Sequence, residues 1–188
     1  VITGELNRIS SHLVWFGAYI LDLGAFTPIM YAFEDREKIL DLLQPISGSR
    51  LTYSFFRPGG VANDVTDAFL KETLVFVKYM RDRLPMYRDL VTDNIIFRKR
   101  CEGVGVLSLE MCQKYGATGP VLRGSNRPYD IRKAEPYSIY DRFDYEIPVD
   151  EKGDAIGRYR VRMAELAESL KIIEQAVNQI PEGDHIVK

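Results

Sequence analysis

The sequence predicts a mainly α-helical protein, a helical bundle of about four longer helices with a minor β element. Apolar residues recur at steps of three and four along several segments, as they do on helices that pack one stripe against a core. Proline and glycine interrupt the chain between these segments. The 188 residues suffice for one well-buried domain. We expect a single helical core domain over residues 1–180 and a polar tail over 181–188.

Composition excludes several classes of function. The net charge is −2 and 28% of the residues are charged, so the chain lacks the basic surface typical of nucleic-acid binding. The apolar runs are much shorter than the ~18 residues of a membrane span. We therefore expect no nucleic-acid partner and no direct membrane span. The two cysteines, Cys101 and Cys112, form no CxxC pair, so we expect no metal site and no cofactor bound by this chain.

The first two helices are predicted from their apolar stripes and end signals. In the first helix the stripe consists of Ile2, Leu6, Ile9, Leu13, Phe16, Ile20 and Leu23. Gly24 is suited to end this helix. Thr27 and Pro28 are typical of a helix start. The apolar residues of the second helix are Ile29, Phe33, Ile39, Leu40 and Leu43.

The remaining elements follow from the same signals. The predictions are a helix over 65–84 that Pro85 ends, short helices over 86–93 and 108–116, a loop over 118–136, a strand over 143–149 and a last helix over 154–179. The strand is predicted because apolar and charged residues alternate there. The polar tail after the last helix is expected to be loose.

One face of the first helix carries Glu5, Arg8, His12 and Asp22 at helical spacing. The pattern alone favours a solvated charged face. The alternative is a polar seam inside a larger assembly, in which His12 and Asp22 orient a partner group or relay protons. These two residues are separated by about 15 Å along the helix axis and cannot touch each other.

Asp22 stands at the end of the first helix, facing the negative end of the helix dipole. One interpretation is an exposed acid that the fold tolerates. The other is an acid that a cationic or hydrogen-bond-donating partner compensates.

Two loops are dense in polar residues. The segment from Arg57 to Gly60 contains Pro58 and two glycines, a pattern that predicts a turn and only weakly a phosphate site. The second loop contains Arg123–Gly124–Ser125 and Asp130–Ile131–Arg132–Lys133. Such a loop either forms an interface or is solvated.

Motifs along nearly the whole chain resemble the D subunit of bacterial respiratory complex I, a proton-pumping NADH:quinone oxidoreductase. The motifs are ELNRISSHL beginning at Glu5, LDLGA at Leu21, FRPGGV at Phe56, LRGS at Leu122 and DIRK at Asp130. The resemblance implies a relative of the [NiFe]-hydrogenase large subunit that lacks the nickel–iron cysteines. It implies a role in the quinone-reducing site, beside the subunit that holds the terminal [4Fe-4S] cluster and near the membrane arm. The implied location is the cytoplasmic face of the inner membrane.

The resemblance also assigns roles to residues. Asp22 matches the aspartate that orients a quinone-binding histidine, and we expect that histidine and a companion tyrosine upstream of Val1. The isolated chain is then expected to be inactive. Thr52 departs from members that carry a histidine near the cluster, and threonine does not titrate near neutral pH. The residues implied to line the cavity or a subunit interface are Thr52, Arg57, Gly59, Gly60, Arg123, Ser125, Asp130, Arg132 and Lys133.

Related families remain as alternatives. The chain is similar to large subunits of energy-converting [NiFe] hydrogenases and of deazaflavin-dependent dehydrogenase complexes. A CxxC near each end of the full subunit would indicate a hydrogenase, and a His/Tyr pair would indicate quinone chemistry. The LRGS and DIRK motifs favour the quinone branch. A non-catalytic helical scaffold is the third hypothesis.

Overall fold

The computed structural model describes residues 1–187, and the predicted mainly α class with a minor β element is confirmed. The helices are α1 (Ile2–Asp22), α2 (Thr27–Ser47), α3 (Asp67–Tyr87), α4 (Ile95–Cys101), α5 (Leu109–Lys114), α6 (Gly119–Arg123), α7 (Ile131–Ala134) and α8 (Ala155–Asn178). A π-helical turn over Arg88–Thr92 and a 3-10 turn over Tyr140–Arg142 complete them. The strands are β1 (Phe56–Arg57) and β2 (Gly60–Val61).

The four long helices form the bundle, and α1 packs against both α2 and α8. The predicted stripe of α1 is buried from Ile2 to Ile20, while Leu23 is half-buried. Gly17 lets α2 approach closely, because a Cβ there would lie 2.8 Å from Cγ1 of Ile29. On α2 one prediction is wrong: Phe33 is exposed, and the buried Ala32 faces the core instead.

A buried carboxylate, Asp35 of α2, joins α2 to α3. Tyr79 donates a hydrogen bond of 2.6 Å to it, Arg83 Nε lies 3.1 Å from both carboxylate oxygens, and the hydroxyl of Tyr87 donates as well. Burial and the hydrogen bond to Asp35 raise the pKa of both tyrosine hydroxyls, which therefore remain protonated donors. The two helices are thus fixed in register by one anion.

Pro85 does not end α3, contrary to the sequence prediction. The helix runs through it to Tyr87 and passes into the π-helical turn. Proline removes a single backbone donor, and the buried side chains of Tyr87 and Val91 hold the following turn against the core. Helix α4 was not expected from the sequence. Asn94 caps it, since its side-chain Oδ1 accepts a hydrogen bond of 2.9 Å from the backbone amide of Ile96.

The predicted strand over 143–149 is wrong, and the predicted loop over 118–136 contains the short helices α6 and α7. The alternation at 143–149 is real, since Phe143 and Tyr145 are buried. However, side chains of α8 take the place of a neighbouring strand. The backbone amides of Asp144 and Glu146 donate to Gln175 and Glu168, each at 2.8 Å.

The minor β element is instead a hairpin of β1 and β2, on which the tail packs. The amide of Val61 donates to the carbonyl of His185, and that of Val187 donates to Gly59, both at 3.0 Å. Gly60 is required at this contact, because a Cβ there would collide with the His185 carbonyl. The tail is therefore paired with the hairpin at 185–187, whereas Lys188 lies outside the described residues.

Replacing Asp35 with alanine should lower the free energy of unfolding by about 3 kcal/mol, because Arg83 and two tyrosine hydroxyls lose their shared acceptor. Urea denaturation of the 188-residue chain measures this loss. Glu37→Gln on the exposed side of α2 is the matched control, with an expected change within about 0.5 kcal/mol. A loss below about 1 kcal/mol for Asp35→Ala would show that the anion does not join the helices.

Candidate functional site

Glu5 of α1 lies at the centre of a buried ionic cluster. Arg132 Nη1 donates to its carboxylate at 3.0 Å, Tyr140 donates at 2.6 Å and Arg8 Nε donates at 3.1 Å. Arg132 also binds Asp130, with Nη2 at 2.7 Å from Oδ2. Glu5 has no exposed surface, so α1 is tied here to the segment that contains α7.

The cluster keeps its acids ionised. Burial alone would raise the pKa of Glu5, but the charges of Arg8 and Arg132 and the hydrogen bonds to the carboxylate together outweigh it, so the pKa lies below the ordinary value. Burial likewise opposes the ionisation of Asp130, and the hydrogen bond and charge of Arg132 lower its pKa. A charged pair with satisfied hydrogen bonds is the form in which ions are stable inside a protein.

A second ionic group lies two turns further along α1. His12 Nε2 lies 2.8 Å from Oε2 of Glu165 on α8, and Arg123 Nε donates to Oε1 at 2.8 Å. Arg123 Nη1 donates to the carbonyl of Tyr129 at 2.8 Å. Burial opposes the ionisation of Glu165, but the hydrogen bond from His12 and the charge of Arg123 lower its pKa below the ordinary value.

The interpretation of this α1 face as a solvated charged surface is wrong for Glu5, Arg8 and His12. Glu5 is buried, His12 is 14% exposed and Arg8 is half-buried, so all three form a polar seam within the chain itself. Sequence reasoning missed Glu165. The available signal was its position on α8, in a row with the buried Val161 and Ser169 at steps of four.

The polar loop before α8 is mostly inside the protein, and its interpretation as solvated is wrong for Arg123, Ser125, Asp130 and Arg132. Ser125 Oγ donates to the carbonyl of Leu107 at 2.8 Å. Lys133 is exposed, although its ammonium donates to the carbonyl of Tyr145 and lies 4.6 Å from that ring. These residues hold loops to the bundle.

Asp22 differs from the other acids of α1. It is exposed at the last residue of the helix, and in residues 1–187 its carboxylate has neither a hydrogen bond nor an ion pair. Val14, Ala18 and Leu21 are exposed on the turns before it. The structure therefore places Asp22 on an uncovered, largely apolar face, away from the Glu5 and Glu165 groups.

The remaining candidates lie in the connection between α2 and α3. Thr52 is exposed and has a φ of 54°, a value that β-branched residues rarely adopt. The Arg57 guanidinium donates to Ser54 Oγ, and Gly59 and Gly60 contact the tail. The two glycines thus serve a backbone contact with residues 185–187.

Residues 1–187 contain neither a membrane span nor a metal-binding group. No helix there combines the length and the apolar composition that crossing a lipid bilayer requires. Across the same residues, histidine, cysteine, aspartate and glutamate side chains do not gather in groups of three or more that could hold a metal ion.

Comparison with known proteins identifies the family. Residues 22–188 match the family described as the respiratory-chain NADH dehydrogenase, 49 Kd subunit. The chain is 61% identical to the D 2 subunit of NADH-quinone oxidoreductase from Opitutus terrae, over 97% of its own length and 46% of that protein's length. The chain is 60% identical to the D subunit of NADH-quinone oxidoreductase from Desulfotalea psychrophila, over 97% of its own length and 49% of that protein's length.

A solved structure has the same fold. A chain from the membrane-bound sulfane sulfur reductase, an archaeal respiratory membrane complex, superposes with a TM-score of 0.94 at 35% identity, over 98% of this chain and 50% of that chain. This chain spans about half the length of the relatives it matches. On the family match and the identities, the chain belongs to the family of the 49 kDa subunit of respiratory-chain NADH dehydrogenase.

Proposed function

We propose that this chain forms one wall of the quinone-reducing site in a membrane-associated NADH:quinone oxidoreductase. In this proposal it is a peripheral-arm subunit on the cytoplasmic face of the membrane. Its partners are the subunit that holds the terminal [4Fe-4S] cluster and the membrane arm. Support comes from the family and from relatives at 50–61% identity that are named as NADH-quinone oxidoreductase subunits.

The observation that carries the proposal is the state of Asp22. A carboxylate at the negative end of a helix dipole is unfavourable unless a donor compensates it. Within residues 1–187 no side chain donates to it, and the surface around it includes the exposed Leu21 and the 65%-exposed Phe26. An apolar face with one acid at its edge suits the hydrophobic ring of a quinone. The acid would orient a second group, and that group would contact the quinone oxygen.

The proposed chemistry is the reduction of a quinone to a quinol by two electrons and two protons. The electrons come from the cluster of the neighbouring subunit. Asp22 accepts a hydrogen bond from the imidazole of a histidine supplied from outside these residues, which fixes the tautomer and stabilises the imidazolium form. That imidazole would then give one proton to a quinone oxygen, and the companion tyrosine, also from outside these residues, would give the second proton to the other oxygen. Asp22 is therefore a positioning residue.

The buried ionic groups serve the same site by fixing α1. Arg132 joins Glu5 to the α7 segment, and His12 joins α1 to Glu165 of α8, which Arg123 of α6 also binds. A helix held at two points along its length presents its last residue in one position. Small displacements of a catalytic constellation are costly in rate, so rigid support is a functional requirement.

The main alternative is a complex that reduces a different acceptor. The sulfane sulfur reductase chain has the same fold, but its identity of 35% is well below the 61% and 60% of the quinone oxidoreductase subunits. The sequence similarity therefore favours quinone. The proposal also differs from a purely structural scaffold, for which the charge at Asp22 would be irrelevant.

In the intact complex, Asp22→Asn should slow quinone reduction by about tenfold to a hundredfold, because the imidazole loses its anionic partner. Electron transfer from NADH to the iron–sulfur clusters should persist. The pH profile of quinone reduction should lose activity at a lower pH than in the wild type, since the imidazolium is less stabilised. Steady-state assays across pH, with reduction of the clusters followed spectroscopically, measure all three quantities.

Asp22→Glu should recover part of the rate and of the pH profile, and Asp82→Asn on the exposed side of α3 is the matched control that should leave both unchanged. Normal quinone turnover in Asp22→Asn would remove this residue from the mechanism. Equal losses of quinone reduction and of cluster reduction would indicate a purely structural role.

Glu165→Gln should destabilise the chain by about 2–4 kcal/mol near neutral pH. The pKa of Glu165 is lowered on folding, so its contribution is fully present above the unfolded value of about 4.3 and is lost as the pH falls through the folded value. The stability difference between wild type and variant should therefore shrink below about pH 4. Urea denaturation at several pH values measures it.

The control for Glu165→Gln is Glu174→Gln, also on α8, whose side chain is 41% exposed and pairs with Arg81 at the surface. It should cost less than about 1 kcal/mol at any pH. A stability loss for Glu165→Gln that is equal at about pH 3 and about pH 7 would contradict an ionised Glu165.

Thr52 has no group that titrates near neutral pH. We therefore predict that position 52 contributes little to the pH dependence of the reduction potential of the neighbouring cluster. Thr52→His should add a dependence of at most about 59 mV per pH unit around the histidine pKa. Redox titration of the intact complex at several pH values tests this. An already steep dependence in the wild type, unchanged in the variant, would refute it.

A further inference from the structure

We infer that a cleft between α3 and α8 binds an acidic segment of a neighbouring subunit. The cleft, which we call the arginine cleft, has a volume of about 480 Å³. Leu84, Met163 and Ala164 contribute to its apolar floor, and the guanidinium groups belong to Arg81, Arg88 and Arg160. The cleft includes neither Asp22 nor the Glu5 and Glu165 groups, so the inference does not depend on the quinone chemistry, although it rests on the proposed place of this chain in a multisubunit complex.

The backbone of α3 opens the cleft. Pro85 provides no amide hydrogen for the carbonyl of Arg81, which lies one turn earlier. The chain then widens into the π-helical turn, where the amide of Asp93 bonds to the carbonyl of Arg88 at 3.0 Å. Arg88 and Thr92 are the first and last residues of this turn, and both line the cleft.

The base of the cleft is held in place by α8. Thr92 Oγ1 lies 2.9 Å from the hydroxyl of Tyr159, a side chain that is fully buried. This bond fixes the π-helical turn against α8 and satisfies both hydroxyl groups. The site is therefore preformed, with the arginines above a fixed floor.

The cleft carries more positive charge than its acids compensate. Arg81 pairs with Glu174 at 2.6 Å, and Arg160 lies 3.7 Å from Asp150, which is too long for a good hydrogen bond. Arg88 has no hydrogen-bond or ionic partner in the described part of the chain. A guanidinium group is always charged, and its fork of donors matches the geometry of a carboxylate. This local excess contrasts with the net charge of −2 for the whole chain.

The shape of the cleft favours a polypeptide over a small ligand. It is a groove open towards solvent rather than an enclosed cavity. A carboxylate beside an aliphatic side chain matches it, with the carboxylate on Arg88 and the aliphatic group on Met163 and Ala164. Arginine and methionine are enriched in protein interfaces. The relatives are subunits by name, so neighbouring polypeptides exist to supply such a segment.

Site-specific photocrosslinking in the intact complex identifies the occupant. Ala164 is exposed at the floor of the cleft, so p-benzoylphenylalanine introduced there in the full-length subunit faces the occupant directly. We expect a crosslink to a segment of another subunit that contains aspartate or glutamate. Arg88→Glu should reduce the yield about tenfold, and a lysine in place of the partner's acid should restore it.

Arg142→Glu is the matched control, because Arg142 is an exposed arginine outside the cleft. It should leave the crosslink unchanged. A second measurement, the salt concentration at which a subunit leaves the complex, needs no bulky replacement. In the Arg88→Glu complex, but not in the Arg142→Glu complex, the subunit or its neighbour should dissociate at a lower salt concentration than in the wild type.

Several results would overturn the inference. They are a crosslink to lipid, to a segment without acids or to another part of the same subunit, and an equal effect of the two charge reversals. Unchanged salt resistance in the Arg88→Glu complex would also overturn it, whether or not the crosslinking variant assembles.

Discussion

The position of α1 depends on two carboxylates that are buried where an apolar contact would otherwise lie. Glu5 and Glu165 are almost fully enclosed, and an enclosed carboxylate is unstable unless cations and donors surround it. Arg132 and Arg123 supply that environment from the short helices α7 and α6 rather than from the four long helices of the bundle. The irregular segment before α8 is therefore part of the packing of α1, and the loops and the helices depend on each other.

Acids on one helix have opposite roles for the same physical reason. Glu5 is compensated inside the chain, so its charge contributes to the fold. Asp22 is left uncompensated within the described residues, so its charge is available to a group from elsewhere. The proposed division of α1 into a structural end and a reactive end follows from where its counter-charges are located. The seam pattern that looked uniform in the sequence consists of two unlike parts.

Local patterns predicted the four long helices but not the short helices α4, α6 and α7 or the β1–β2 hairpin. The period of the α1 stripe identified its buried face because that information lies within the helix. The strand over 143–149 was mispredicted because the alternation of apolar and polar residues indicates only which side chains are buried. It does not indicate which groups accept the hydrogen bonds of the backbone amides. Those acceptors lie on α8, 31 and 22 residues away.

The site was predictable only in part for a related reason. Glu165 is 153 residues from His12, and their contact has no local signature. Asp22 was proposed from its motif alone, since a carboxylate that lacks a partner within the chain has no distinguishing periodicity. The arginine cleft depends on a π-helical turn, which the proline rule alone does not anticipate.

The contact between the β1–β2 hairpin and residues 185–187 closes a loop of about 120 residues with few hydrogen bonds. Bringing together such distant parts of the chain has a large entropic cost, and the exposed bonds recover little of it. This pairing should therefore form after the bundle during folding and open before it during fluctuations. The connection that carries Thr52 would then be the part of the molecule whose conformation changes most readily.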